Sequence, residues 1–390
     1  MIDLVCKALI DPGDVIVAEA PTYPGAVPTF GAYQAEVAQI EMDADGMPIE
    51  ELEIVLDRLQ ARGRRPKFIY TIPNFQNPGG VTMSLPRRRR LVQVAREREL
   101  LVLEDNPYGL LRYEGEPLPT LYSLDAEELG GGGGADLVIY LGTFSKILSP
   151  GVRLGWAVAP RPVLEKLNLG KQGADLCSSP VTQLFVAAFF AERDADGEKR
   201  WRTYLEQLKE LYSRRREVML EALAAHFGDA ARWTEPQGGL FIWATLEERI
   251  DTTDLLAFAR ESEGVAFVPG RAAYMDGRSG SSSMRLNFAG VCEEDIREGM
   301  RRIGKVVREQ LSLFGTLSGS APGVRAQAGR AAGGGASMPG TAAAAASAGP
   351  ADEVGATPPG AGAEEETDLA DVVALPRRAA EGSARRRRDR

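Results

Sequence analysis

Histidine is almost absent from this chain. His226, in "LAAHFGDAARW" near a predicted helix end, is the only one in 390 residues. That removes His-ligated metal sites and Ser-His-Asp chemistry, both of which need imidazole. Cysteine is also scarce. Cys6, Cys177 and Cys292 are far apart, with no CxxC pair, which fits thiols in a reducing cytoplasm better than a disulfide framework. No apolar run approaches the roughly 18 to 20 residues that span a bilayer. The opening "MIDLVCKALIDPGD" has neither the basic region nor the cleavage site of a secretory signal. A net charge of −9 argues against a general nucleic-acid binder. Chemistry in such a chain falls to lysine, carboxylate, tyrosine or a cofactor.

Apolar residues, by contrast, are plentiful at 44%, enough for a sizeable core. Strands are expected at "DVIVAEA", "AEVAQIEM", "KFIYTIP", "LLVLEDN", "DLVIYLG" and "GWAVAP", with amphipathic helices such as "IEELEIVLDRLQAR" and "LPRRRRLVQVARERE" between several of them. This alternation predicts an α/β fold with a mostly parallel sheet over residues 1–195. The "RRRR" run at 87–90 reads as a solvated helix face. "PVTQLFVAAFFAE" and a long helical run beginning "WRTYLEQLKEL" follow. "GGLFIWATL", "GVAFVPG" and "SMRLNFAG" then read as strands of a smaller α+β domain, giving a second unit over 196–312. From 313 to 390 the composition turns to Gly, Ala, Ser and Pro and ends in a basic block, the signature of a disordered tail. "GGGG" at 131–134 lacks the lysine and hydroxyl of a phosphate loop and reads as a flexible connection.

Ligands of open α/β sheets sit outside the carboxyl ends of the strands. Here those ends carry Tyr23, Asn77, Asp105 with Tyr108, and Lys146. Each has a bland explanation alone: Tyr23 can pack, Asn77 before Pro78 can turn the chain, and Asp105 can cap the next segment. Their equivalent places in successive units favour a shared site. A lysine in a partly desolvated pocket has a lowered pKa, and its neutral amine can condense with an aldehyde. Pyridoxal 5'-phosphate offers that aldehyde and needs a carboxylate at its ring nitrogen. Asp105 suits the ring nitrogen, Asn77 and Tyr108 the phenolate oxygen, and Tyr23 the ring face. Thr143, Ser145 and Arg153 suit the phosphate.

"EAPTYPG", "TIPNFQNPGG", "LEDNPYGLLRYEGE" and "GTFSKILSPGVRLGW", in this order, resemble the fold-type-I class I/II aminotransferases. The resemblance is strongest to the 2-aminoadipate and broad-specificity aromatic subgroup. It runs on through "EPQGGLFIWATL", "GVAFVPGRAAY" and "MRLNF", covering about residues 1 to 312. It implies a PLP-dependent transferase fold of type I and transfer of an amino group from an amino acid to a 2-oxo acid such as 2-oxoglutarate. It also implies a cytoplasmic homodimer whose partners are small amino and oxo acids, with no nucleic acid or membrane. Lys146 would be the lysine that condenses with the cofactor and moves the proton. Asn77 and Arg285 would bind the substrate, Arg285 holding its α-carboxylate; the bland alternative for Arg285 is a surface residue on an edge strand. The resemblance departs at Gly79, where the family usually has threonine. It departs further at the start, because relatives place a Gly/Ser-Gln-rich turn before the helix that opens this chain. The expectation is therefore an N-terminally truncated member with weaker cofactor binding, exposed apolar surface and blurred specificity. Two other readings stay open: the effector-sensing domain of a winged-helix transcription regulator without its DNA-binding head, and an inactive truncated product.

Overall fold

Six strands carry the first half of the chain: β1 (Val15–Ala20), β2 (Glu36–Glu41), β3 (Phe68–Thr71), β4 (Leu101–Asp105), β5 (Val138–Thr143) and β6 (Gly155–Val158). The computed structural model describes residues 1–130, 134–195 and 197–317. The strands form one sheet in the order β2-β1-β3-β4-β5-β6, parallel except for β6, which returns antiparallel to β5. Every residue of β1 and β3 is buried, as expected for parallel strands covered on both faces.

Seven helices accompany this sheet: α1 (Ile2–Leu9), α2 (Ala26–Ala32), α3 (Ile49–Ala61), α4 (Leu85–Glu97), α5 (Leu121–Glu128), α6 (Arg161–Asp175) and α7 (Pro180–Ala191). Side chains alternate between the faces of a strand, so two separate cores form. Ile16, Phe68, Tyr70, Leu103, Ile139 and Leu141 pack with α1 and α2 on one face. Val17, Ile69, Val102 and Val138 pack with α3, α4 and α5 on the other. Each such aliphatic side chain, fully buried, contributes about 1.5–3 kcal/mol. Parity also sorts the carboxylates: Asp105 shares the face of Leu103, whereas Glu19, Thr71 and Glu104 share that of Val17, Ile69 and Val102.

The long helix α8 (Arg200–Phe227) leads to β7 (Ala231–Trp233), β8 (Phe241–Leu246), α9 (Thr252–Glu263), β9 (Val268–Pro269), β10 (Ser283–Asn287) and α10 (Glu293–Leu317). Their four strands form an antiparallel sheet in the order β7-β8-β10-β9. Ile296, Met300, Ile303 and Val307 recur at helical spacing on α10 and join the core that α8 and this sheet share.

One sequence expectation is overturned within "RRRR". Arg88 has no exposure; its guanidinium donates to the carbonyls of Met83, Pro119 and Pro73 and to Asn74 Oδ1, at 2.8–2.9 Å. Position 88 shares a helix face with Leu91, Val92 and Ala95, all turned to the core. Charge density alone did not reveal that phase. The tail expected from 313 starts later, because α10 continues to Leu317; the run at 131–133 and the residues beyond 317 lie outside the described residues.

Candidate active site

The carboxyl ends of β3, β4 and β5 open on a cavity of about 410 Å³, within the usual range for small-ligand sites. Tyr23, Asn77, Asp105, Tyr108, Thr143, Ser145, Lys146 and Arg153 all line it, together with Met1, Ile2 and Asp3 at the start of the chain. Arg285 is not among the lining residues, but its guanidinium is hydrogen-bonded to Asn77, which is.

Lys146 lies three residues beyond β5. Phe144 N donates to Leu154 O at 3.1 Å, and Leu148 N and Ser149 N both donate to Phe144 O, so the chain turns tightly around the lysine. Its amine is held below the ordinary lysine pKa, first by burial and then by the positive charges of Arg285 and Arg153. A depressed pKa leaves more of the amine in its neutral, nucleophilic form.

Beside it, Ser145 N donates to Thr143 Oγ1 at 3.1 Å, Thr143 Oγ1 donates to Leu154 O at 3.1 Å, and Arg153 Nη1 donates to Ser145 Oγ at 3.3 Å. Arg153 takes a left-handed φ of +50°, uncommon for a side chain of its size. Two hydroxyls and a guanidinium thus form one cup suited to a phosphate.

Asp105 ends β4, and its Oδ2 accepts a hydrogen bond from Tyr70 at 2.9 Å. Burial pushes its carboxyl up to about 6, against the pull of the Tyr70 hydrogen bond. A nearby cation would restore the ionised form. Asn77 is 3% exposed. Its Nδ2 donates to the Tyr108 hydroxyl at 3.2 Å, and its Oδ1 accepts from Arg285 Nη1 at 3.0 Å. Burial also raises the Tyr108 pKa, so the phenol keeps its proton. Arg285 is not on an edge: β10 pairs with β8 on one side and β9 on the other. Its guanidinium lies 4.3 Å from the centre of the Phe241 ring, and its buried Nε has no partner.

Sequence reasoning missed Tyr70, Glu19 and Gln76. Glu19, 1% exposed, accepts from the Thr71 hydroxyl, Ile72 N and Gln76 Nε2. Gln76 in turn donates to Pro21 O and accepts from Gly79 N. This buried network shapes the "NFQNPGG" turn that presents Asn77. A glutamate among the apolar residues of "VIVAEA" was its only sequence signal.

The sequence matches the family "Aminotransferase class I and II" over residues 1–303. The chain is a class I/II aminotransferase. It is 43% identical over 310 residues to aromatic-amino-acid aminotransferase 1 of Thermococcus litoralis, covering 80% of this chain and 70% of that protein. It is 38% identical over 312 residues to 2-aminoadipate transaminase of Thermus thermophilus, covering 80% and 74%. Among solved structures, the multiple substrate aminotransferase of Thermococcus profundus superposes with a TM-score of 0.73 at 40% identity, covering 80% of this aminotransferase and 73% of that chain. An α-aminoadipate aminotransferase of Thermus thermophilus, complexed with N-(5'-phosphopyridoxyl)-L-leucine, gives 0.73 at 38% identity, covering 80% and 75%. These neighbours share the type I fold of the PLP-dependent transferases, and pyridoxal phosphate is the cofactor of the class. The donor set fits it: a carboxylate, a cationic hydroxyl cup and a lysine of lowered pKa all line one cavity.

Proposed function

We propose that this aminotransferase moves the amino group of 2-aminoadipate, an aromatic or a similar amino acid to a 2-oxo acid such as 2-oxoglutarate. The observation that carries this reading is the Lys146 amine in one cavity with Asp105 and the Thr143–Ser145–Arg153 cup. The substrate classes rest on the names of the relatives. When bound, pyridoxal phosphate supplies an aldehyde for the amino group and a protonated ring nitrogen that accepts an electron pair.

The side chains divide the remaining work. Asp105 holds the ring-nitrogen proton by its negative charge. Asn77 and Tyr108 hold the phenolate oxygen, Tyr23 covers the ring face, and Thr143, Ser145 and Arg153 take the phosphate. Arg285, with Asn77 fixing one of its nitrogens, receives the substrate α-carboxylate through a fork that lysine cannot imitate. Lys146 Nζ removes the substrate Cα proton and returns it to the other end of the reacting system.

Residues 1–195 serve as the cofactor domain and 196–312 as the smaller one in this reading. A homodimer is supported by the apolar side chains that α6, α7 and their connection leave open, with Leu176 77%, Leu184 70% and Phe185 72% exposed. Exposed, unpaired Cys177 and Cys292 suit a cytoplasmic enzyme. Incubating the cofactor-loaded protein with 2-oxoglutarate and 2-aminoadipate or an aromatic amino acid tests the proposal. Glutamate should form with at least one donor, and its absence with all of them would overturn it.

A further inference from the structure

Among the described residues, Tyr70 is an ionisable side chain that hydrogen-bonds Asp105 without lining the cavity. It sits in the third position of β3, opposite Leu103 of β4 in the parallel register. Asp105 lies two residues beyond Leu103 on the same sheet face. Two residues of strand span about 6.6 Å, a distance that a tyrosine ring leaning along the strand can cover and a serine or threonine cannot. The hydroxyl meets Oδ2 at 2.9 Å. The ring has no exposure, and it meets the ring of Phe30 edge to face, with centroids 5.4 Å apart and planes at 77°.

A carboxylate turns freely about its last torsion, where rotamer wells are broad. One fixed donor on Oδ2 removes that freedom and leaves Oδ1 for the cavity. We infer that Tyr70 is a positioning residue, whose phenolic O–H sets the plane of the Asp105 carboxylate that faces the cofactor ring nitrogen. The inference rests on the reading that Asp105 pairs with that nitrogen. Burial and the neighbouring carboxylate raise the Tyr70 pKa well above its usual value, so the phenol remains a donor throughout the working pH range. Phe30 acts one step further out, by holding the tyrosine ring.

Titrating pyridoxal phosphate into the cofactor-free full chain, with intrinsic tryptophan fluorescence as the signal, tests this. Tyr70→Phe removes one oxygen and leaves the ring. It should raise the dissociation constant about tenfold, the size expected for one hydrogen bond to a charged group. Asp105→Asn should raise it further, and adding Tyr70→Phe to Asp105→Asn should change it less than twofold. Such non-additivity is the mark of one residue acting through another, and a tyrosine that merely packs would not produce it. Phe30→Leu keeps the hydroxyl but loosens the ring, and should weaken binding about threefold. That variant decides the matter if Tyr70→Phe does not fold. Wild-type affinity in Tyr70→Phe beside a weakened Asp105→Asn would overturn the role of Tyr70 and leave that of Asp105 standing. Losses that simply multiply in the double variant would do the same. Wild-type affinity in Asp105→Asn would overturn both.

Discussion

Arg285 donates a hydrogen bond to Asn77 at 3.0 Å, across 208 residues of sequence. The bond ties the antiparallel sheet to the cavity at the ends of the parallel strands. It also engages one guanidinium nitrogen, so the rest of the fork is presented in a fixed orientation. Arg285→Ala should raise KM for amino acids and 2-oxo acids alike by about 100-fold, matching the roughly 2–5 kcal/mol lost when one partner of a hydrogen-bonded charge pair is removed. Arg285→Lys should recover only part of this, since an ammonium cannot make the paired contact. Steady-state KM values for both substrates check the prediction, and an unchanged KM would take Arg285 out of the carboxylate site.

Lys146 is one of eight lysines in the chain, and burial with two neighbouring arginines lowers its pKa. Lys146→Ala should leave no measurable transamination at any pH while the protein still folds, because the half-buried amine contributes little to the core. Lys146→Arg should be equally inactive, since a guanidinium stays protonated. The check is glutamate formation beside a melting curve for each variant. Appreciable turnover in either one would mean that another base moves the proton.

Arg153 sets function against stability. Its left-handed φ of +50° costs a residue with a Cβ about 1–2 kcal/mol. Arg153→Gly should therefore raise the melting temperature of the cofactor-free protein, or at least not lower it, although flexibility gained in the unfolded chain offsets part of the relief. The same change should weaken pyridoxal phosphate binding at least tenfold, and inorganic phosphate should compete less well with it. A destabilised variant with wild-type cofactor affinity would contradict both halves.

Strand ends were the legible part of the site. The runs "LLVLEDN" and "DLVIYLG" are short, apolar and bounded by polar residues, so their order and carboxyl ends could be read directly, and with them Asp105 and Lys146. Interior polar groups were harder. Tyr70, within "KFIYTIP", looks like an ordinary β-former, and only the register against β4 reveals its reach to Asp105. Arg88 was hidden by its three arginine neighbours, because its burial depends on helix phase. The strand expected at "GVAFVPG" shortens to Val268–Pro269, and Ala231–Trp233 adds a strand that its three residues were too short to announce. Pairing partners far away in sequence decide both lengths.

Glu104 shows what the other sheet face demands. It precedes Asp105, has no exposure, and accepts from Tyr122 N at 2.9 Å through Oε2, while Oε1 has no partner. Burial pushes its pKa to about 7, whereas an unfolded glutamate titrates near about 4.3. Between those values the folded protein keeps a proton that the unfolded chain has released. Stability therefore falls as pH rises through this window, and the full penalty persists above it. A shift of that size corresponds to at most about 4 kcal/mol. Glu104→Gln keeps the acceptor for Tyr122 and removes the charge. Its amide nitrogen takes the place of an oxygen that already lacks a partner, so little is lost in exchange. The variant should melt close to wild type at pH 4.5 and higher than wild type at pH 8, by an amount equivalent to about 1–3 kcal/mol. Melting curves at the two pH values decide it: an equal difference at both would mean that Glu104 does not titrate in this range.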